Sequence, residues 1–354
     1  MSAWKTPFKR SFSIDNRQIG EDAPTYVVAE IGANHDGKLP RGKELIRTAA
    51  EAGADAVKFQ TLNYDALFHD PTTDEAVAEL YDRIEIPKDW YSELQAVAER
   101  AGVTFFTSVT YPGGIKLLSD LDIQAYKIAS AQVVADIPLI ETVAKEGRPM
   151  ILSTGLGGYG HIERALDACL SAGNHDVAIL HCISEYPTPL DEVELSRIGR
   201  LQSAFGIITG FSDHTESAII PAASVALGAA IIEKHITLDR SSPGPDHEFA
   251  LEPGEFSTMV QGIREVEAAM GSGLKFSATE DEQWLRDHVQ MKLVAQEDIA
   301  AGSLLTEETV TARRAPEGIP RNLIEDLEQA HVTTSRALKE GSLITWESII
   351  GNDD

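Results

Sequence analysis

Residues 230–237, AIIEKHIT, run from apolar side chains straight into Glu233, Lys234 and His235. Such a segment reads as a buried strand whose end opens onto a functional surface, and it is the last of a series. Upstream lie TYVVAEIG (25–32), AVKFQT (56–61), TFFTSV (104–109), AYKIAS (125–130), PMILSTG (149–155), VAILHCIS (177–184) and IITGFSDH (207–214). With 230–237 the count reaches eight, the number that closes a (β/α)8 TIM barrel. Amphipathic helical stretches separate the runs, the alternation that yields a parallel sheet covered by helices. Four of those stretches end in glycine, at Gly53, Gly102, Gly147 and Gly173, as left-handed helix caps should. A doubly wound open sheet is the alternative. It calls for a glycine-rich phosphate turn after the first strand, and AEIGANHDG (29–37) is not G-x-G-x-x-G.

The chain has 354 residues, 43% of them hydrophobic, enough for one large α/β domain and a small appended module. The barrel pattern accounts for residues 1–271, and 272–288 read as an acidic, partly helical linker. Residues 289–354 read as a small β-rich domain built on a repeat, DIAAGSLLTEETV (298–310) against ALKEGSLITWESI (337–349). No apolar run approaches the ~20 residues of a membrane span and the first ten residues lack the apolar middle of a signal peptide, so a soluble, cytoplasmic protein is expected. A formal net charge of −26 argues against nucleic acid or an anionic membrane as partner. The acidic excess fits a solvated surface or a salt-adapted proteome equally well. Cys169 and Cys182 sit in apolar segments, which suggests two core thiols and no disulfide framework.

In such a barrel the active site forms at the C-terminal ends of the strands. Polar residues recur there: Glu30, Lys58 and Gln60, Ser108, Lys127 and Ser130, Ser153, Ser184, Ser212 and His214, Glu233 and His235. Lys58 with Gln60, and Glu233 with His235, are two apart and so share a strand face. A strand-end serine or histidine alone is usually a hydrogen-bonded cap; the recurrence around the barrel is what signals a site. Two buried lysines in so acidic a chain point to an anionic ligand, with serines completing a phosphate or carboxylate cradle. His214 and His235 on adjacent strands suit either an open divalent metal site or a hydrogen-bonded pair beneath the pocket.

These segments, AEIGANHDG, GADAVKFQT, AYKIAS, ILSTG, HCISEYPTP, GFSDHT and EKHITLD with the following GPDH and ALEP, resemble the sialic acid synthases, which include N-acetylneuraminate, legionaminate and pseudaminate synthases. The tail resembles the antifreeze-like (SAF) domain of the same family. The resemblance implies condensation of phosphoenolpyruvate with an N-acylated hexosamine-type aldose, giving a nine-carbon 2-keto sugar acid and phosphate. It assigns Lys58, Ser108, Lys127, Ser130, Ser153, Ser184 and Ser212 to phosphoenolpyruvate, and His214 and His235 to a divalent metal (Mn, Mg or Co). Glu30, Gln60, Tyr186 and Asp246 would meet the sugar, Glu30 and Gln60 at the reacting centre, with Glu233 handling water or a proton. Arg314, with the adjacent Arg313 as its rival, would reach the site from the SAF domain of a partner in a domain-swapped homodimer, and His247 would help to pack its loop. Ser108 stands where many relatives have threonine, and Ser184 with Glu185 where the N-acetylneuraminate branch has asparagine. The resemblance therefore names the family and not the sugar. Two further readings stay open: a phosphoenolpyruvate-dependent synthase acting on a phosphorylated aldose, and a non-catalytic sugar-binding barrel.

Overall fold

The computed structural model describes residues 7–20, 22–69, 75–271 and 277–350. A hairpin, β1 (Ser11–Ile14) and β2 (Arg17–Gly20), comes first and was not anticipated from the sequence. Eight parallel strands then close one barrel: β3 (Tyr26–Glu30), β4 (Ala56–Thr61), β5 (Thr104–Val109), β6 (Tyr126–Ile128), β7 (Met150–Ser153), β8 (Val177–Cys182), β9 (Ile208–Asp213) and β10 (Ile231–His235). All eight predicted runs contain one of these strands. β10 completes the ring by pairing with both β9 and β3, His235 lying beside Glu30. Gly53, Gly102, Gly147 and Gly173 have φ between 71° and 95°, the left-handed region expected of them.

Strand parity sorts the barrel into two cores. Outward residues such as Val27, Phe59, Leu152, Ile179 and Ile232 pack under the helices. Inward residues, Tyr26, Val28, Ala56, Phe106, Ala125, Ile151, Leu180, Ile208 and Ile231, fill the lower interior. Phe12, Ile14 and Ile19 join that inner cluster from the hairpin, with Ile14 and Ile19 0% exposed. The hairpin is therefore the apolar floor of the barrel. Ser11–Gly20 carries the signals of a short hairpin, Phe12 and Ile14 alternating with serines and Asp15-Asn16 at the turn, Asp15 at φ 55°.

The chain divides into two compact units, Met1–Gly271 and Ser272–Asp354. Residues 272–276 of the expected linker lie outside the described residues, and the helix Glu280–Val289 belongs to the second unit. That unit pairs β11 (Met291–Ala295) with β12 (Val310–Arg314), and β13 (Thr333–Thr334) with β14 (Ile349–Ile350). Its two repeats meet head to head: Ile299 and Leu338 each donate a backbone N–H to the other's carbonyl at 2.8 Å, and Gly302 and Gly341 both turn at φ 81°. The second unit has its own core around Leu293, Leu305, Ile319 and Ile344.

Candidate active site

One step above the apolar layers, the next inward residue of every strand changes character. Val28 gives way to Glu30, Ala56 to Lys58, Phe106 to Ser108, Ala125 to Lys127, Ile151 to Ser153, Leu180 to Cys182, Gly210 to Ser212 and Ile231 to Glu233. All eight of these polar residues line a cavity of about 380 Å³, joined from the strand ends and loops by Gln60, Ser130, Ser184, Tyr186, His214 and His235.

Charges alternate across the cavity floor. Glu30 Oε2 lies 2.8 Å from Lys58 Nζ, which lies 3.8 Å from Glu233 Oε2, and Glu233 Oε1 lies 3.5 Å from Lys127 Nζ. These four side chains are 2–7% exposed. Lys58 donates to Ser108 Oγ (2.9 Å), Lys127 to Ser153 Oγ (2.7 Å), Ser212 Oγ to Glu233 (2.9 Å) and Gln60 Nε2 to Glu30 (2.9 Å). Burial pushes the Glu30 carboxyl up to about 7 against the pull of Lys58. Burial also presses on Glu233, but Lys127 and Lys58 outweigh it and hold that carboxyl below its usual range. Desolvation lowers Lys127, which Glu233 only partly offsets. One carboxylate firmly ionised, one carboxyl poised near neutrality and a desolvated ammonium together form a site equipped for an anion and for proton transfer.

Ser130 and Ser184 lie beyond the strands, not on them. Ser130 opens the helix Ser130–Ala135 and accepts the Gly155 N–H at 2.9 Å. A Cβ on Gly155 would come 2.3 Å from Ser184 Oγ and 2.9 Å from Ser130 Oγ, so only glycine leaves this polar cradle open.

His214 follows β9 directly. Its Nδ1 lies 2.8 Å from the Ile183 carbonyl, which can only accept, so Nδ1 carries a proton and Nε2 is the free lone pair in the neutral ring. Burial opposes charge on His214, but Cys182 and the Ile183 carbonyl outweigh it and raise its pKa. His235 is driven well below the usual histidine value by burial, then by His214 and Lys58, and stays neutral. Its Nδ1 is buried without a hydrogen-bond partner among the described residues, 3.8 Å from Asp246 Oδ2. The two ring centroids are 5.5 Å apart. Two adjacent imidazoles with lone pairs to spare fit an open divalent site; no cluster of three or more His, Cys, Asp or Glu able to hold a metal occurs among the described residues.

Tyr186, half exposed, leans over His214 with centroids 4.2 Å apart and ring planes tilted by 43°, and Phe249 meets His235 edge-on at 4.9 Å. Asp246 does not line the cavity itself; its Oδ2 accepts the Ala33 N–H at 2.9 Å at the rim. His247 is fully buried, held by Thr237 Oγ1 (2.7 Å) and Asp36 Oδ1 (3.1 Å), and so ties the Asp246 loop to the loop after β3. Arg314 ends β12 in the second unit, exposed. Cys182 corrects the expectation of two core thiols: Cys169 is one, but Cys182 lines the cavity, 3.9 Å from His214 Nδ1. Parity with Ser184 was the signal for it. Phe249 was likewise missed, its single aromatic ring in a polar loop giving no periodicity to read.

Residues 45–275 match the model of the NeuB family. This chain belongs to the NeuB family. It is 35% identical to the spore coat polysaccharide biosynthesis protein SpsE of Bacillus subtilis, over 97% of this chain and 98% of that protein. The crystal structure of that relative matches the NeuB-family chain with a TM-score of 0.69, covering 97% of this chain and 100% of that one. The N,N'-diacetyllegionaminic acid synthase of Campylobacter jejuni is 36% identical over 83% of this chain and 92% of its own. A crystal structure of N-acetylneuraminic acid synthetase from Leptospira borgpetersenii, in complex with citrate, is 31% identical with a TM-score of 0.73, covering 78% of this chain and 95% of that one. Membership of this family of named synthases makes the chain a condensing enzyme on a TIM barrel.

Proposed function

We propose that this enzyme condenses phosphoenolpyruvate with an open-chain N-acylated hexosamine-type aldose to a nine-carbon 2-keto sugar acid and inorganic phosphate. The observation that carries the reading is the ring of buried Lys58, Lys127 and serines on the cavity floor. Two desolvated ammonium groups and a run of hydroxyls bind a compact, multiply charged anion by charge-assisted hydrogen bonds. In the reaction the enol carbon of phosphoenolpyruvate bonds to the aldehyde carbon, whose oxygen takes a proton. Water adds to the phosphate-bearing carbon and the carbon–oxygen bond to phosphate breaks. Lys58, Ser108, Lys127, Ser130, Ser153, Ser184 and Ser212 hold the phosphate and carboxylate. Glu233, kept ionised between the two lysines, accepts the proton of the attacking water; Glu30, near neutrality and steadied by Gln60, serves the sugar end.

His214 and His235 would hold a divalent metal (Mn, Mg or Co), which supplies Lewis acidity toward the aldehyde oxygen. Tyr186 and Asp246 meet the sugar at the rim. The second unit is read as a SAF domain that closes the barrel of a partner protomer and brings Arg314 to it, excluding water from the reacting carbons.

The test is phosphate release from phosphoenolpyruvate with a panel of free and phosphorylated hexosamines, with and without Mn, followed by product mass. Turnover with a free acylamino sugar is the expected result. Turnover only with a phosphorylated sugar would replace the substrate reading, and no release with any sugar would reduce the barrel to a binding protein.

A further inference from the structure

A second pair of buried charges lies on the reverse face of β9 and β10. Asp213 and Lys234 are register partners there and point away from the cavity by parity. Both side chains are 0% exposed, with Lys234 Nζ 2.6 Å from Asp213 Oδ2. The ammonium also donates to the Thr215 carbonyl. Asp213 in turn receives the Thr215 N–H at Oδ1 and the Thr215 hydroxyl at Oδ2, each at 3.0 Å. Every one of these bonds ends on a neighbour of a cavity side chain. Asp213 and Thr215 flank His214; Lys234 stands between Glu233 and His235.

A buried ion pair is a poor device for stability, because apolar residues of the same volume commonly do as well. What it adds is a fixed distance and direction. Here the fixed element is the turn that carries His214, closed by Asp213 on Thr215 and tied by Lys234 to the strand that carries His235. We propose that Asp213, Lys234 and Thr215 are positioning residues, a clamp that sets the His214 imidazole relative to His235 and thereby the affinity for a divalent cation. The second half rests on the reading of His214 and His235 as that cation's ligands; the first half does not.

The two halves have separate readouts. In metal-free protein labelled with 15N-histidine, the Nδ1–H of His214, held by the Ile183 carbonyl, is expected to exchange slowly with water. Asp213→Asn and Thr215→Val are near-isosteric, and both are expected to speed that exchange at least about tenfold, because the turn no longer fixes the ring. Unchanged exchange in folded variants would overturn the clamp. The Kd for Mn2+, read from the free-ion electron paramagnetic resonance signal, is expected to weaken by about 10- to 100-fold in the same variants, the usual effect of removing an outer-shell partner. Faster exchange with no Mn2+ binding even by the wild type would keep the clamp and remove the cation reading. Since Lys234→Met alone leaves Asp213 unpaired and can unfold the chain, Asp213→Leu with Lys234→Met supplies an uncharged, folded control. Wild-type Mn2+ affinity in that double variant would show that an apolar pair positions His214 equally well and would reject the proposal.

Discussion

Replacing Lys127 by methionine keeps the length of the side chain and removes its charge from the cavity floor. Lys127 is 2% exposed, with Ser153 Oγ at 2.7 Å and Glu233 at 3.5 Å. A phosphate or carboxylate oxygen entering this cradle would lie about 4 Å from the ammonium, where two unit charges attract by ~4 kcal/mol at an effective dielectric of ~20. Truncating one partner of a buried charge pair costs ~2–5 kcal/mol in measured complexes, which brackets that figure. The loss has a second part: Glu233 keeps only Lys58, at 3.8 Å, and its unbalanced carboxylate repels the incoming anion. At ~1.4 kcal/mol per factor of ten, kcat/KM for phosphoenolpyruvate should fall roughly 30- to 5,000-fold. Initial rates of phosphate release at varied phosphoenolpyruvate and saturating sugar measure it, with circular dichroism to confirm the fold. A folded Lys127→Met enzyme with wild-type dependence on phosphoenolpyruvate would show that the lysine only neutralises Glu233.

His214→Ala and His235→Ala should each abolish cation-stimulated turnover while leaving the barrel folded; full activity in thorough chelator would sink the metal reading. Burial lowers the pKa of His35 to about 4, so the folded chain refuses a proton that the unfolded chain takes at about 6.5. Stability present above pH 6.5 is therefore lost as pH falls toward 4, by about 3 kcal/mol from this residue, and His35→Gln should flatten that part of the pH profile in urea unfolding. Parallel profiles for the two proteins would refute the assignment. A chain ending at Gly271 should fold, since the barrel closes on its own strands, yet lose nearly all synthase activity. Mixing Lys127→Met with Arg314→Ala protein should restore activity if the cap works across protomers, and no recovery despite subunit exchange seen by native mass spectrometry would reject that arrangement.

The barrel was legible because its strands announce both faces at once. In AVKFQT, Val57 and Phe59 go to the helices, while Lys58 and Gln60 go to the cavity. The same two-residue period relates Ser212 to His214 and Glu233 to His235; with Ser130, just past its strand, and Tyr186, which only the family resemblance named, thirteen of the fifteen candidate residues line one cavity, leaving Asp246 at its rim and Arg314 in the other unit. What stayed hidden depended on partners far away in the chain. The floor hairpin has four residues per strand, and Ile14 is buried only by strands that come later. Cys182 was masked by the apolar VAIL before it, although the register puts it level with Ser212. Asp213 and Lys234 face outward under the helices, where apolar residues are expected; only the register of β9 against β10 reveals that they bond to each other.

The packed inner layer and the hairpin beneath it make the barrel a cup and not a pipe. With Phe12, Ile14 and Ile19 sealing one end, anything in the cavity enters and leaves past the rim where Tyr186 stands half exposed. The cavity's two lysines, Lys58 and Lys127, are 3% and 2% exposed, so an anion bound to them would sit beneath whatever rests on Tyr186. First in must be last out. A dead end of this shape turns depth into kinetic order: phosphoenolpyruvate should bind before the sugar, and an unreactive sugar analogue should trap it, slowing its release in a pulse-chase measurement. Release unaffected by the analogue would mean that the deep ligand has a second way out.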